Sequence, residues 1–415
     1  MPTMNELEMR NYAAIITEVC LGVTEGTKLR IGGEMPQREL MLAVARRAYE
    51  LGASAVRIDY TDARLGKLQA ELARDGYLDE VPSPLAALTA VYADEGWDYL
   101  SVVGEEAPSL FEGADSTRLQ RIGRARSIAV KKLHEAVRTN SIAWNVVPGP
   151  TAAWAESIFK NAGRDPGADP AQALWKALVP ILRLDSANPA AAVRAHMEGL
   201  EARARKLDAL GLRELRFSGP GTELCVPLST RSRWIGGGST TSEGRRFFPN
   251  LPTEEVFTTP DWRGVEGHAA CTRPFMLYGQ RVEGAWLKFA SGELVEHGAA
   301  ANAAALARFV STDPGAKRLG EVALVDASGP IFQSGLVFGN GLIDENAACH
   351  IALGSAYEEA YADIATVPED KRIDEGYNDS MVHEDIMIGS EEVEVRGVDA
   401  SGISTILISR GRFAI

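Results

Sequence analysis

This sequence predicts an α/β domain built on a largely parallel sheet, followed by an α+β domain. Three observations carry that reading. At 415 residues the chain is longer than one ordinary hydrophobic core accommodates, so two domains are expected. Helix and strand patterns alternate between Asn5 and Thr61, as βαβ units require. After Gly211 short strands separated by glycines take over, which sets the domains at residues 1–210 and 211–415. Hydrophobic residues make up 45% and charged residues 24%, the balance of a folded globular chain rather than a disordered one.

The elements follow in order. Residues 12–21 read as a helix and 28–32 (K-L-R-I-G) as a short strand. Residues 38–51 form an amphipathic helix that stops at Gly52, a C-terminal signal, and 55–60 (A-V-R-I-D-Y) a buried strand. Residues 98–103 and 142–147 extend the same sheet; Pro148-Gly149-Pro150 ends the second, and a helix opens at Ala152. The turn formers of residues 162–170 mark a loop, and helices follow at 171–184 and 189–210. Beyond Gly211, strands are expected at 214–218, 222–226, 281–289, 293–296, 319–325 and 404–409, with helices at 299–310 and 347–362.

Charge and composition exclude several function classes. The net charge of −14 repels phosphate backbones and anionic lipid headgroups, so neither nucleic acid nor a membrane is an expected partner. The one basic run, Arg121 to Arg138, has apolar residues at helical spacing and reads as a solvated helix face. Cys20, Cys225, Cys271 and Cys349 are scattered without a C-x-x-C pair, which argues against a disulfide framework or a zinc knuckle. No stretch approaches the ~20 apolar residues of a membrane span, and the first residues lack a signal-peptide pattern. A cytoplasmic protein is expected.

Chemistry concentrates in the last third. His383 and Asp385 are two apart, and on a strand such residues share a face, so one strand end offers an imidazole and a carboxylate to one ion. H-x-D alone is a weak signal. His350 follows Asp344-Glu345-Asn346 at the front of an apolar segment read as a helix; alone it reads first as a packed core histidine. Tyr357, seven residues on, would share its helix face and could hydrogen-bond a polarised carbonyl or an oxyanion. Two acidic positions could complete a site: the paired Glu254-Glu255, and Glu321 at the head of an apolar strand. A carboxylate there is costly unless a cation or an arginine pairs with it. Imidazole with carboxylates suits a borderline divalent cation such as zinc, cobalt or manganese. Other candidates have stronger structural explanations. Gly236-Gly237-Gly238-Ser239 lacks the lysine of a phosphate loop, and Cys349 reads as a packed residue. His134, His196, His268 and His297 have no second ligand nearby in sequence, and Arg273 and Trp234 are no more than possible pocket walls.

Four motifs together carry a family resemblance. They are N-L-P-T-E-E-V-F-T at Asn250, L-G-E-V-A-L-V at Leu319, D-E-N-A-A-C-H-I-A-L-G at Asp344 and N-D-S-M-V-H-E-D-I-M-I-G at Asn378. In this order and spacing the chain resembles the metalloaminopeptidases of the aminopeptidase T, aminopeptidase S and aminopeptidase II type. Weaker likeness at Ala48 to Val56 and Pro150 to Ala155 extends it over nearly the whole length. The resemblance implies that the second domain is a metal-binding catalytic domain holding two divalent ions (zinc, cobalt, manganese or magnesium). It puts the ligands at Glu255, Glu321, His350, His383 and Asp385 and the active-site tyrosine at Tyr357. It further implies peptide substrates with a free N-terminus, an activated water, and a homodimer. Glu321 is the carboxylate expected to bridge the ions, while the general base stays open between Glu254 and a ligand carboxylate. The alternative is a mononuclear iron(II) ring-cleaving dioxygenase on a related scaffold, for which His350, His383 and Asp385 alone would suffice. A binding protein that kept the scaffold without activity is a third reading, and retention of the full ligand set weighs against it.

Overall fold

The computed structural model describes residues 4–108, 110–111 and 113–415; residues 1–3 of the stretch read for a targeting signal lie outside them. The chain forms two compact units, Met1–Arg194 with Gly238–Leu251, and Ala195–Gly237 with Pro252–Ile415. Gly211 lies inside the second unit, and the excursion Gly238–Leu251 returns to the first, where Asn250 bridges Val146 in parallel.

The first unit is built on a four-stranded sheet with every pair parallel. Lys28–Glu34 and Asp98–Val103 are central, Ala55–Thr61 and Trp144–Pro148 form the edges, and helices cross over between them. The first helix begins earlier than expected, at Glu6. Asn5 caps it, with its side chain accepting from the Glu8 amide while Glu8 returns a bond to the Asn5 amide, and the end widens into a π-helical turn at Ile15–Cys20. The basic run lies on the helix Ser116–Arg138, where Arg121 pairs with Asp75 and Asp79, as a solvated face would.

The second unit holds two large antiparallel sheets and a two-stranded one, Phe275–Leu277 with Gln280–Val282. The larger has eight strands, in the order Glu293–Gly298, Trp286–Ala290, Glu266–Ala270, Thr222–Pro227, Leu212–Gly219, Glu394–Asp399, Ser404–Ser409 and Arg412–Phe413. The smaller runs His383–Met387, His350–Gly354, Leu319–Val325, Glu255–Thr258, Ile235–Gly236. Among the described residues no helix is long and apolar enough to cross a membrane.

Three further expected elements differ. The strand expected at 281–289 is two strands, Gln280–Val282 and Trp286–Ala290, because Gly284 turns the chain between them at φ +57°. The helix expected at 299–310 is confined to Ala303–Phe309, since Asn302 before it is left-handed at φ +56°. The helix expected at 347–362 is absent. His350–Gly354 is instead a strand buried along its whole length, followed by a loop and a single turn at Glu358–Ala360. A short apolar run bounded by polar residues is compatible with either state, and here pairing on both edges decides for the strand. Tyr357 therefore does not share a helix face with His350.

Backbones approach closely where this strand ends. Gly354 has φ +111°, and a Cβ on it would lie 2.0 Å from the Val382 carbonyl oxygen; one on Gly320 would lie 2.3 Å from the Gly354 carbonyl oxygen. Gly354→Ala is therefore expected to lower stability by at least about 1 kcal/mol, read as the urea midpoint at constant slope. An unchanged midpoint would show that the approach is not required.

Candidate metal centre

The register of the smaller sheet assembles the site. Glu321 lies opposite Ala352, which lies opposite Asp385; His350 is opposite Ala323 and Met387, His383 is opposite Gly354, and Glu255 is opposite Val325. Opposed residues share a face and alternate residues repeat it, so Glu255, Glu321, His350, His383 and Asp385 all project from one face of four adjacent strands. Ala323, Ala352 and Gly354, small residues on that face, leave room between them. The other face carries Val256, Val322, Leu324, Ile351, Leu353 and Ile386, all fully buried, and that apolar layer anchors the strands.

The polar atoms converge. His350 Nε2 lies 3.2 Å from Glu255 Oε2, 3.7 Å from Glu321 Oε1 and 3.7 Å from Asp385 Oδ1. His383 Nε2 lies 3.4 Å from Glu321 Oε2 and 3.3 Å from Asp385 Oδ1. Two groups could each hold a cation: Glu255, Glu321 and His350, and Glu321, His383 and Asp385, with ligand atoms within 4.8 Å of one another in each. Glu321 belongs to both and turns one oxygen to each histidine.

The tautomers are set from behind. His350 Nδ1 donates to the Ala348 carbonyl at 3.2 Å, and His383 Nδ1 to the Ser355 carbonyl at 2.7 Å. A carbonyl only accepts, so each Nδ1 carries hydrogen and, whenever the ring is neutral, each Nε2 turns a lone pair toward carboxylate oxygens. Acceptors this close repel unless a proton or a cation lies between them. Glu255 Oε2 and His383 Nε2 are moreover buried without a hydrogen-bond partner. This donor set, imidazole nitrogen with carboxylate oxygen, fits divalent transition metals.

The electrostatics agree. Burial alone would depress both histidines, yet Glu255 and Glu321 at His350, and Asp385 and Glu321 at His383, raise them well above the ordinary imidazole value. Burial, reinforced by Glu321 and Asp385, raises Glu255. Burial also pushes Asp385 upward, but His383 and His350 outweigh it and hold its carboxyl at about 2.

Tyr357 reaches the site through the loop after Gly354. Its ring centroid is 4.9 Å from that of His383 and 5.7 Å from that of Phe257, edge-on to the latter. Tyr357 is 43% exposed, and its partial burial with the Glu321 and Asp385 charges raises the phenol above the ordinary tyrosine value and keeps it protonated. Asn378 ties the loop down by donating to the Gly354 carbonyl at 2.6 Å and the Gly315 carbonyl at 2.9 Å, and Tyr377 donates to the Ala356 carbonyl.

The remaining candidates fall elsewhere. Glu254 turns toward His196 rather than the ligand cluster, Oε2 to Nε2 at 3.4 Å. Cys349 packs against the Val325 backbone, and burial pushes its thiol up to about 11. Gly236 and Gly237 are close-approach residues under the Leu200 and Met197 carbonyls, with no phosphate-loop geometry. Arg273 donates to the Leu336 carbonyl, and the Trp234 backbone amide donates to Asp208. Two acids went unread in the sequence. Glu345 lies among the site carboxylates, and burial with the Asp385 and Glu255 charges raises it well above the usual range; burial raises Glu384 to about 8. Their signal was present: each adjoins candidate ligands in or just before an apolar strand.

A face of convergent imidazoles and carboxylates, with excess negative charge and a phenol at its rim, defines a divalent-metal enzyme site. The family of thermophilic metalloproteases (M29) matches residues 5–413, and the chain belongs to it and is a peptide hydrolase. It is 38% identical to aminopeptidase T of Thermus aquaticus, over 98% of each chain, and 33% identical to aminopeptidase 2 of Geobacillus stearothermophilus, over 99% of this chain and 98% of that one. Among solved structures, wild-type AmpT from Thermus thermophilus superposes with a TM-score of 0.90 at 36% identity, over 98% of this chain and 99% of that one. Nothing in these comparisons supports the dioxygenase alternative.

The shifts fix a pH dependence for protein stripped of metal by a chelator. A carboxyl raised from 4.5 to about 8, as Glu384 is, stays neutral in the fold while its unfolded counterpart ionises, so stability falls across that window. Glu255 and Glu345 act in the same direction, and His350 and His383 lose their contribution as pH rises above 6.5 through their raised values. Asp385 opposes this only below 3.8. The chelated protein is expected to melt at a lower temperature at about pH 8.5 than at about pH 6, and added divalent metal to shrink the difference. A melting temperature that rose with pH would contradict this electrostatic account.

Proposed function

We propose that this protein is an aminopeptidase that removes N-terminal residues from peptides at a site for two divalent cations. Glu255, Glu321, His350, His383 and Asp385 are the proposed ligands, and Glu321 is common to both ions. The observation that carries the reading is the split carboxylate: Glu321 Oε1 faces His350 at 3.7 Å and Oε2 faces His383 at 3.4 Å. Bound cations would polarise the scissile carbonyl and make water acidic enough to attack near neutral pH.

The protein's own groups supply the rest. The anionic cluster attracts a protonated α-amine, which only the first residue of a peptide possesses, and so favours exopeptidase over internal cleavage. Tyr357, kept protonated, donates its phenolic hydrogen to the oxygen on which negative charge develops. Glu345, outside both ligand groups, is the proposed site that takes the proton from the attacking water, in place of Glu254, which turns to His196. Zinc, cobalt, manganese and magnesium all suit the donor set. A cytoplasmic homodimer belongs to the same proposal and rests on the family likeness.

Glu321→Gln keeps the shape and removes the shared charge. It is expected to fold, to bind divalent metal more than about 100-fold more weakly, and to lose nearly all activity on aminoacyl and dipeptide substrates. Full activity in this variant would refute the ligand assignment. Tyr357→Phe is expected to lower kcat about 100-fold while KM moves less than about threefold, since the phenol acts in the transition state. An unchanged kcat would remove Tyr357 from the chemistry.

A further inference from the structure

One peptide group next to the centre is held at both of its edges by side chains. The carbonyl of Thr253 accepts from His196 Nε2 at 2.8 Å, and the amide of Glu254 donates to Asn346 Oδ1 at 2.7 Å. These two atoms belong to the same planar unit, so the two bonds fix its orientation as well as its position. The next residue is Glu255, the first of its strand. His196 comes from the helix Pro189–Ala209 and Asn346 from the turn Glu345–Ala347, so neither partner is local to the peptide it holds. Asn346 is 1% exposed, and its amide nitrogen donates to the Leu342 carbonyl at 3.0 Å and to Glu345 Oε1 at 3.2 Å. The asparagine thus joins the Glu345 carboxylate to the backbone that carries Glu255. His196 Nε2 faces a carbonyl and is therefore the protonated nitrogen, and Glu254 Oε2 at 3.4 Å favours the same tautomer.

We infer that His196 and Asn346 are positioning residues for the metal centre. They preset Glu255 by clamping the Thr253–Glu254 peptide, so that the centre binds its cation without first ordering that strand end. The inference rests on the proposed ligand role of Glu255. Sequence spacing hides it, because 57 and 92 residues separate the partners.

The test is Co²⁺ titration of the full-length, chelator-stripped protein, followed by visible absorption and run beside steady-state kinetics. His196→Phe keeps an aromatic ring and removes the donor, while His196→Gln restores an N–H. Asn346→Ala removes the other clamp. The phenylalanine and alanine variants are expected to bind Co²⁺ about 10- to 100-fold more weakly, and the phenylalanine variant to keep kcat at saturating metal within a few-fold of the parent and KM unchanged. The glutamine variant is expected to recover most of the lost affinity. Parental affinity in His196→Phe, or failure of His196→Gln to recover, would overturn the positioning role, and this pair decides even if Asn346→Ala does not fold. A control separates the two levels. If Glu255→Gln binds Co²⁺ as tightly as the parent, the ligand reading itself is wrong and the clamp falls with it; if Glu255→Gln is weakened while both clamp variants are not, only the clamp is wrong.

Discussion

Carboxylates leave water reluctantly, and the second unit gathers several of them on one face of a buried sheet. Glu255, Glu321 and Asp385 crowd within hydrogen-bonding range of two imidazoles whose free nitrogens are acceptors. No arrangement of the site's own groups removes the conflict without added positive charge. Protons on the histidines are one remedy, and divalent cations are the stronger one. The raised histidines, the raised Glu255 and the unpartnered Glu255 oxygen all follow from that single demand.

The sheet makes such crowding sustainable. Its reverse face buries Val256, Val322, Leu324, Ile351, Leu353 and Ile386, and this apolar layer holds the strands against the repulsion in front. Antiparallel pairing lets residues far apart in the chain stand side by side, and alternation puts residues two apart, such as His383 and Asp385, on one face. A one-residue slip of any of these strands would turn its polar site residues into the apolar layer, so burial alone specifies the register strongly. The glycine approaches at Gly320 and Gly354 hold the site strands in place at their ends.

Tyr357 illustrates how a loop can be as well defined as a strand. Asn378, Tyr377 and His383 each bind a carbonyl of residues 354–356, so the chain reaches Tyr357 with little freedom left. His383 does double service there. The hydrogen bond that fixes its tautomer also anchors the loop, linking the nitrogen that faces Glu321 and Asp385 to the placement of the phenol. Glu254 shows the converse: adjacency to Glu255 in sequence places it on the opposite side of the strand entry, beside His196.

Local chemistry made much of this protein legible from its residues alone. Period and turn signals located the parallel sheet, the apolar strand headed by Glu321 and the H-x-D pair, because those patterns depend on near neighbours. Four ordered motifs carried the family. The same residues misled wherever burial overrode local preference: residues 347–362 were read as a helix, yet pairing on both edges makes His350–Gly354 a strand. Glu345, Asn346 and His196 acquire meaning only through partners distant in the chain, and residues 238–251 return to the first unit with no mark of it in their composition. Sequence by itself thus determined the kinds of side chain available and the faces on which alternation puts them. Tertiary structure decided which of them meet, because strand register, loop anchoring and the placement of charge are settled by contacts between residues far apart in the chain.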